Sequence, residues 1–425
     1  MLGEEVQTKN EHSYLENLIL PVKESRHFRF LWIGQLLSSF GSAIHMVILP
    51  LVVYSLTGST MVMGITMTMY MIPNVLILPF SGLIVDKFNR INLMLLIEFI
   101  RTFLMITIMI LLISDTLTIQ ILYVLVAING LMAGLFHPAY FAVRAKIFVP
   151  KIRNAANALT QMSTQVVRLI GPALGGLIVS ASSAAIGFGI DALTFFLSFI
   201  CLLFLRDLAT NHTPTTVKDS LNNKSNVKSD FLEGIKVLKS HPWLWITILA
   251  FSFITLCYTG IIVILIPWLF NIYYQFEPFI FGLCMTFSGL GAGLAALIFG
   301  MRQQWEKRGL MAYSGVIVSG LSLLAMPFVP WVPGLLTLMA IQGFGVMVFG
   351  LVWETSLQEL VPEEMFGRVA SLDMLGSYAL LPLGYLLIGW LAESIGGSTT
   401  IIILSVITTL SSAILLCIPS IRKFN

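Results

Sequence analysis

The chain has 425 residues, of which 57% are hydrophobic and only 11% are charged. This composition excludes an ordinary soluble globular protein and leaves room for about twelve apolar spans of roughly 20 residues each. The formal net charge of +3 does not indicate a nucleic-acid partner, because the basic residues are spread over many loops instead of forming one patch.

Twelve apolar segments are long enough to cross a bilayer, and we number them helices 1 to 12. The predicted spans are 28–54, 62–84, 91–113, 118–142, 157–179, 183–205, 243–270, 278–300, 310–329, 331–355, 368–391 and 397–419. Of the 24 Lys and Arg residues, Arg101 and Arg168 lie well inside spans, and Arg29 and Arg368 lie within the first two residues of theirs. The other 20 lie at the chain ends or in the connections after the even-numbered helices. Cytoplasmic loops retain Lys and Arg. The pattern therefore predicts an all-α, multi-pass protein of the bacterial cell membrane with both termini in the cytoplasm.

The helices are predicted to form two halves. The expected organisation is a cytoplasmic tail (1–27), a six-helix bundle (28–205), a polar cytoplasmic linker (206–242), a second six-helix bundle (243–419) and a short tail (420–425). The run Ala127–Gly130 in helix 4 recurs in altered form as Ala340–Gly343 in helix 10, and Leu31-Trp32 recurs as Leu244-Trp245 at the same spacing. Parallel repeats with a ligand site between them are a recurring transporter design.

The turn between helices 2 and 3 carries the most specific motif of the chain. It resembles the signature loop of the major facilitator superfamily, and the matching residues are Gly82, Leu83, Asp86, Lys87 and Arg90. Asn89 stands where that loop has a glycine, and Asn also tolerates turn geometry. The resemblance implies a gating loop in which Gly82 permits a close helix approach. It also implies that Asp86 meets the start of helix 11, where Arg368 is the candidate partner.

Four charged residues fall inside helices 3, 5 and 6, namely Glu98, Arg101, Arg168 and Asp191. An intramembrane charge costs at least about 2.5–3.5 kcal/mol and is expected to be paired or functional. Glu98 and Arg101 share one helix face and are predicted to pair, while Arg168 and Asp191 lie at similar depth and are predicted to meet. Two readings stay open: a structural charge network, or a proton-coupling site in which a carboxylate is protonated when its basic partner moves away.

Further resemblances narrow the family. Helix 5 contains a Gly-Pro motif like that of antiporter-type facilitators, formed by Gly171, Pro172, Gly175 and Gly176, where proline bends the helix and the glycines allow close packing. Runs around Glu98, at Phe136–Ala139 and at Asp191–Phe195 resemble the macrolide-efflux and enterobactin-exporter branch. A kinked structural helix remains the alternative interpretation of the Gly-Pro motif.

The superfamily arrangement places helices 1, 4, 7 and 10 around the central path. The polar residues near mid-depth on these helices are His45, Asn129, Thr255, Tyr258 and Gln342, and they are the candidate substrate cavity. Met46, Met71, Phe251 and Trp353 are candidate apolar contacts. In helix 11, Asp373 lies about one turn inside the span, but the four charges of the first half make that half the predicted location of any proton site.

These features predict a secondary active transporter that exports small amphiphilic compounds, such as macrolide-type drugs or natural products, by alternating access and coupled to protons. A siderophore or metallophore exporter is the alternative within transport. A non-transporting membrane sensor or lipid-handling protein is the alternative of another class. The four cysteines show no metal-like or disulfide-like spacing. We expect no enzymatic activity, no cofactor and no metal, and a monomer whose partners are a small-molecule substrate, protons and the lipid bilayer.

Overall fold

A computed structural model describes residues 19–149, 151–207, 236, 238–301 and 305–424. Within these ranges the regular structure is helical, without a β-strand, and twelve helices are long and apolar enough to cross a membrane. The helices are α1 (Arg26–Thr57), α2 (Thr60–Lys87), α3 (Arg90–Ile113), α4 (Ile119–Ile147), α5 (Arg153–Ala181), α6 (Ala184–Leu203), α7 (Pro242–Tyr273), α8 (Pro278–Gly300), α9 (Arg308–Ala325), α10 (Val332–Leu360), α11a (Glu363–Tyr378), α11b (Leu381–Ile395) and α12 (Gly397–Leu416). The predicted fold class and helix count are confirmed.

Polar residues in the short connections begin several helices. Asn89 accepts hydrogen bonds from the backbone N–H groups of Ile91 and Asn92, and so caps α3. Thr118 caps α4 and Ser183 caps α6 in the same way. A side-chain acceptor at this position satisfies backbone donors that have no partner inside the helix. The asparagine that replaces the family's glycine therefore has a defined local role.

Two helices of the second half are irregular. In α7, π-helical segments at Ile261–Leu265 and Leu269–Tyr273 flank a short α-helical turn. The eleventh span is interrupted between Tyr378 and Leu381, directly before Pro382. Proline lacks the backbone donor that would continue the helix. Interrupted and π-containing helices are common near functional sites.

The chain divides into two compact units. The first comprises Met1–Ile48, Pro73–Gly171 and Ser182–Thr215, and the second comprises Leu49–Ile72, Pro172–Ala181 and Thr216–Asn425. The second unit therefore includes residues 49–72 of α1 and α2 and residues 172–181 of α5. The division into two six-helix halves stays a prediction. Most of the predicted linker, residues 208–235 and 237, and the tail residues 1–18 and 425 lie outside the described residues.

Candidate functional site

The first unit contains a buried charge cluster, which we define as His45, Glu98, Arg101 and Asp191. The side chains of Glu98 and Asp191 are 0% exposed, and Arg101 is 7% exposed. His45 Nδ1 lies 3.1 Å from Asp191 Oδ2. Arg101 lies over Phe136 and Phe195, so the three sequence stretches singled out by family resemblance meet here, and His45 of α1 joins them.

The His45–Asp191 contact depends on a close approach between α1 and α6. A Cβ atom at Gly41 would collide with Thr194 Oγ1 and Asp191 Oδ1. Gly41 and His45 are four residues apart and therefore lie on the same face of α1. The imidazole packs edge-on against Phe188, with ring centroids 5.4 Å apart. Glycine at position 41 consequently sets the distance at which His45 reaches the carboxylate.

The predicted Glu98–Arg101 ion pair is wrong. Glu98 Oε1 instead accepts a hydrogen bond of 2.9 Å from Ser198 Oγ on α6. The Arg101 guanidinium lies over two aromatic rings, 5.2 Å from the Phe136 centroid and 5.4 Å from the Phe195 centroid. A guanidinium above a ring face is attracted by the ring quadrupole. Both side chains reach α6, but Glu98 contacts Ser198 whereas Arg101 lies over Phe195 and over Phe136 of α4.

The predicted Arg168–Asp191 ion pair is also wrong. Arg168 is exposed on α5, whereas Asp191 is bound by His45. On α5, the face containing Gly171 packs against Ala43 of α1, where a Cβ at Gly171 would lie 2.5 Å from the Ala43 Cβ. Helix α1 therefore lies beside both α5 and α6. Its His45 contacts Asp191, whereas Arg168 of α5 does not.

The composition of the buried charge cluster suits proton binding. It holds two carboxylates and one permanently charged guanidinium, and the fourth member is an imidazole. Asp191 Oδ1 and Glu98 Oε2 are buried without a hydrogen-bond partner among the described residues. Burying an unbalanced charge is costly, so formal charge balance requires one proton on His45 or on a carboxylate. Histidine is the side chain best suited to gain and lose a proton near neutral pH.

The second unit contains a cavity of about 530 Å³, which we call the α7–α10–α11 cavity after the helices that supply most of its lining. Of the predicted cavity residues, Thr255 and Tyr258 line it, and so do Met71, Phe251 and Trp353. The interruption of the eleventh span also borders it through Ser377 and Leu381. A volume of this size, with aromatic walls and a few polar groups, is typical of a small-molecule site.

The other predicted cavity residues have different surroundings. Gln342 is 3% exposed, and its Oε1 accepts a hydrogen bond of 2.7 Å from Ser288 Oγ, so it joins α10 to α8. Asn129 is 8% exposed on α4, in the first unit. His45 belongs to the buried charge cluster, and Met46 is exposed. None of these four lines the α7–α10–α11 cavity.

The predicted gating loop is only partly described. The backbone of Asp86 and Arg368 is helical, but both side chains lie outside the described residues, so their pairing stays a prediction. Lys87 is exposed and Arg90 is half-buried. No described heavy atom lies within 4 Å of a Cβ built at Gly82. The close helix approach at Gly82 therefore also stays a prediction.

The glycines of the Gly-Pro motif pack closely, as their sequence predicts, within an α5 helix that runs through Pro172. A Cβ at Gly176 would lie 2.7 Å from the Pro278 carbonyl oxygen of α8, and one at Gly282 would collide with the Pro172 carbonyl oxygen. Gly175 is buried. Close backbone packing of small residues is typical of helix contacts in membranes.

Sequence reasoning missed a contact between α2 and α11b in the second unit. The Gly64 and Gly389 backbones touch, since a Cβ on either would lie 3.2 Å from the other's Cα. One Glu393 carboxylate oxygen accepts hydrogen bonds of 3.0 Å from the Thr60 N–H and from Ser59 Oγ at the start of α2. A carboxylate at a helix N-terminus is electrostatically favourable. The partners are too far apart in sequence for a local pattern to pair them.

The described residues contain no group of three or more His, Cys, Asp or Glu side chains that could hold a metal ion. The two candidate sites are the buried charge cluster and the α7–α10–α11 cavity.

Comparison with known proteins agrees with this architecture. The chain is 28% identical to the uncharacterized MFS-type transporter YfiS of Bacillus subtilis (strain 168) over 85% of this chain and 87% of the relative. It is 24% identical to the multidrug efflux pump Tap of Mycolicibacterium fortuitum, over 71% and 74% of the two chains. It is 23% identical to the enterobactin exporter EntS of Salmonella typhi, over 98% of each.

The fold is similar to that of a solved peptide transporter of the POT family in complex with sulfate. The TM-score is 0.70, with 15% identity over 94% of this chain and 95% of the other. The family model described as Major Facilitator Superfamily matches residues 31–384. This match covers most of the chain and every residue named for the two sites except Tyr385. The chain therefore belongs to the Major Facilitator Superfamily and is a multi-pass membrane transporter of small molecules.

Proposed function

We propose that this transporter is a proton-coupled exporter of small amphiphilic compounds that works by alternating access. The observation that carries the proposal is the buried charge cluster, in which His45 and Asp191 form a 3.1 Å contact next to Glu98 and Arg101. Intramembrane ionisable groups that are buried together are expected to mark an ion pathway or a proton relay.

Coupling would follow from the charge balance of the cluster. With a proton on His45, the imidazolium is paired with Asp191 and the cluster has no net formal charge. Loss of that proton leaves one negative charge in excess in a low-dielectric environment, which is unfavourable. A conformational change that separates α1 from α6 would change the affinity of the pair for a proton, and by linkage the proton would bias the conformational equilibrium.

The α7–α10–α11 cavity supports the substrate class. Its aromatic and Met side chains offer adaptable apolar contacts, while Thr255 and Tyr258 offer hydroxyl groups. The similarity to the multidrug efflux pump Tap supports drug export. We also propose that the loop from Gly82 to Arg90 closes the cytoplasmic side of the transporter through Asp86 and Arg368. We expect the transporter to act as a monomer.

The experiment uses inverted membrane vesicles that contain the wild-type protein, energised to an acidic interior. We expect erythromycin to accumulate and to cause proton release, measured by acridine-orange dequenching, and we expect a protonophore to abolish both signals. His45→Gln and Asp191→Asn should lose proton-driven accumulation while retaining membrane insertion. Asp115→Asn is the matched control, because Asp115 is exposed in the α3–α4 turn. Accumulation unaffected by the protonophore would contradict proton coupling.

A siderophore exporter is the second candidate, since the similarity to the enterobactin exporter EntS extends over 98% of both chains. The same vesicles distinguish the candidates when they are supplied with enterobactin instead of erythromycin. Gradient-dependent accumulation of enterobactin alone would favour the siderophore exporter. Accumulation of erythromycin alone would favour the drug exporter.

A further inference from the structure

The α7–α10–α11 cavity has one ionic feature. Among the described residues that line it, Asp373 alone carries a formal charge at neutral pH. Its Oδ2 accepts one hydrogen bond of 3.3 Å from Trp353 Nε1, and it forms no ion pair with a described residue. A carboxylate inside a membrane span is costly and is expected to serve a ligand or an ion.

The walls around this carboxylate are aromatic. Phe251 stacks on Phe349 with ring centroids 3.6 Å apart, and Phe349 is parallel to Trp353 at 6.4 Å. Tyr258, Tyr378 and Tyr385 complete the aromatic lining. The stacked row thus leads to the indole that donates to Asp373. Aromatic faces attract cations, and most strongly where water is excluded.

We propose that the α7–α10–α11 cavity is a binding site for monocationic compounds with an aromatic or apolar body, in which Asp373 is the counter-ion. The inference rests on the proposed transport function and adds the charge of the substrate. A ligand cation beside Asp373 would supply the ion-pair partner that the described residues do not provide, and its apolar body would pack along the Phe251–Phe349–Trp353 row. The remaining polar groups, including Thr247 and Thr255, would orient neutral parts of the ligand.

The same features disfavour an anionic ligand. A negative charge in the cavity would face the Asp373 carboxylate in a low-dielectric environment, where like charges repel strongly. No lining residue among those described supplies a compensating cation. The cavity therefore selects by sign of charge, which is a stronger criterion than the shape of an apolar body.

The test compares two ions of nearly the same shape and opposite charge. Equilibrium dialysis of the purified wild-type protein in detergent would measure binding of tetraphenylphosphonium and of tetraphenylborate. We expect the phosphonium ion to bind at least about tenfold more tightly. Asp373→Asn should remove this preference, and Asp373→Glu should retain most of it. Asp115→Asn deletes an exposed carboxylate and should leave the preference unchanged, and thermal unfolding would verify that each variant is folded.

Three results would overturn the proposal: equal or tighter binding of tetraphenylborate, absence of phosphonium binding to the wild type, or unchanged phosphonium binding to folded Asp373→Asn. Failure here is distinguishable from failure of the proposed function, because dialysis is performed without a gradient. Gradient-driven erythromycin accumulation together with no charge preference would contradict the Asp373 site alone. Charge-selective binding without gradient-driven flux would contradict the transport mechanism alone.

Discussion

The contact between His45 and Asp191 can be measured as an interaction free energy. The variants are His45→Ala, Asp191→Ala and the double replacement, and Arg168→Ala combined with Asp191→Ala is the matched comparison. Removing one partner of a buried ion pair costs about 3–5 kcal/mol, because the remaining group keeps its desolvation penalty. The side chain of Asp191 is 0% exposed and that of His45 is 13% exposed, so solvent can compensate little.

The double replacement should therefore be less destabilising than the sum of the single replacements. We expect a coupling of about 1–3 kcal/mol for His45 with Asp191, as is found for residues in contact. For Arg168 with Asp191 we expect additivity within about 0.5 kcal/mol, since these residues form no ion pair. The cost of the cavity left by Asp191→Ala is part of both the single and the double replacement, so it cancels within each cycle.

The assay is reversible unfolding in mixed micelles, with increasing sodium dodecyl sulfate and intrinsic tryptophan fluorescence as the signal. Free energies would be compared at one detergent fraction. A coupling below about 0.5 kcal/mol for His45 with Asp191 would refute the assignment of His45 to the cluster. A large coupling for Arg168 with Asp191 would instead restore the pairing that the sequence predicted.

Other expectations concern helix contacts and gating. Gly41→Ala should lower the free energy of unfolding by about 1–3 kcal/mol in the same assay, because the new methyl group collides with α6. Gly293→Ala is the control, because its methyl group meets open space. An equal loss of stability in both variants would contradict the contact. Glu393→Gln should lower stability by about 1–2 kcal/mol because a charged acceptor at the start of α2 is lost. Glu277→Gln should change little, since Glu277 makes no capping hydrogen bond. Asp86→Asn should abolish vesicle transport without loss of membrane insertion, measured by flux and immunoblot; wild-type flux would contradict the gating role.

The local part of the fold was predictable from the sequence. Each membrane span is a run of about 20 apolar residues, so composition alone identifies twelve spans, which the structure contains. Start signals such as Asn89 and Ser183 are also local, and they cap α3 and α6. The charged residues inside the spans were visible as exceptions in an apolar background.

The pairing of those charges was not predictable, because helical periodicity gives the face of a residue but not the helix that it faces. Glu98 and Arg101 share a face and both contact α6, yet Glu98 bonds to Ser198 whereas Arg101 lies over Phe195 and over Phe136 of α4. Similar depth suggested that Arg168 would meet Asp191. In the structure α1 lies beside both α5 and α6, and His45, instead of Arg168, contacts Asp191.

The sequence by itself determined that this protein is a twelve-helix membrane protein with a facilitator signature and a few costly charges inside its spans. Those properties depend on the free energy of transferring each short segment from water to lipid, and this free energy is a sum of contributions from neighbouring residues. Only the tertiary structure decided that His45 joins Asp191, that Gln342 bonds to α8, and that Asp373 borders an aromatic cavity. These contacts depend on which helices are neighbours and on glycines that let their backbones touch, and no local pattern encodes that choice.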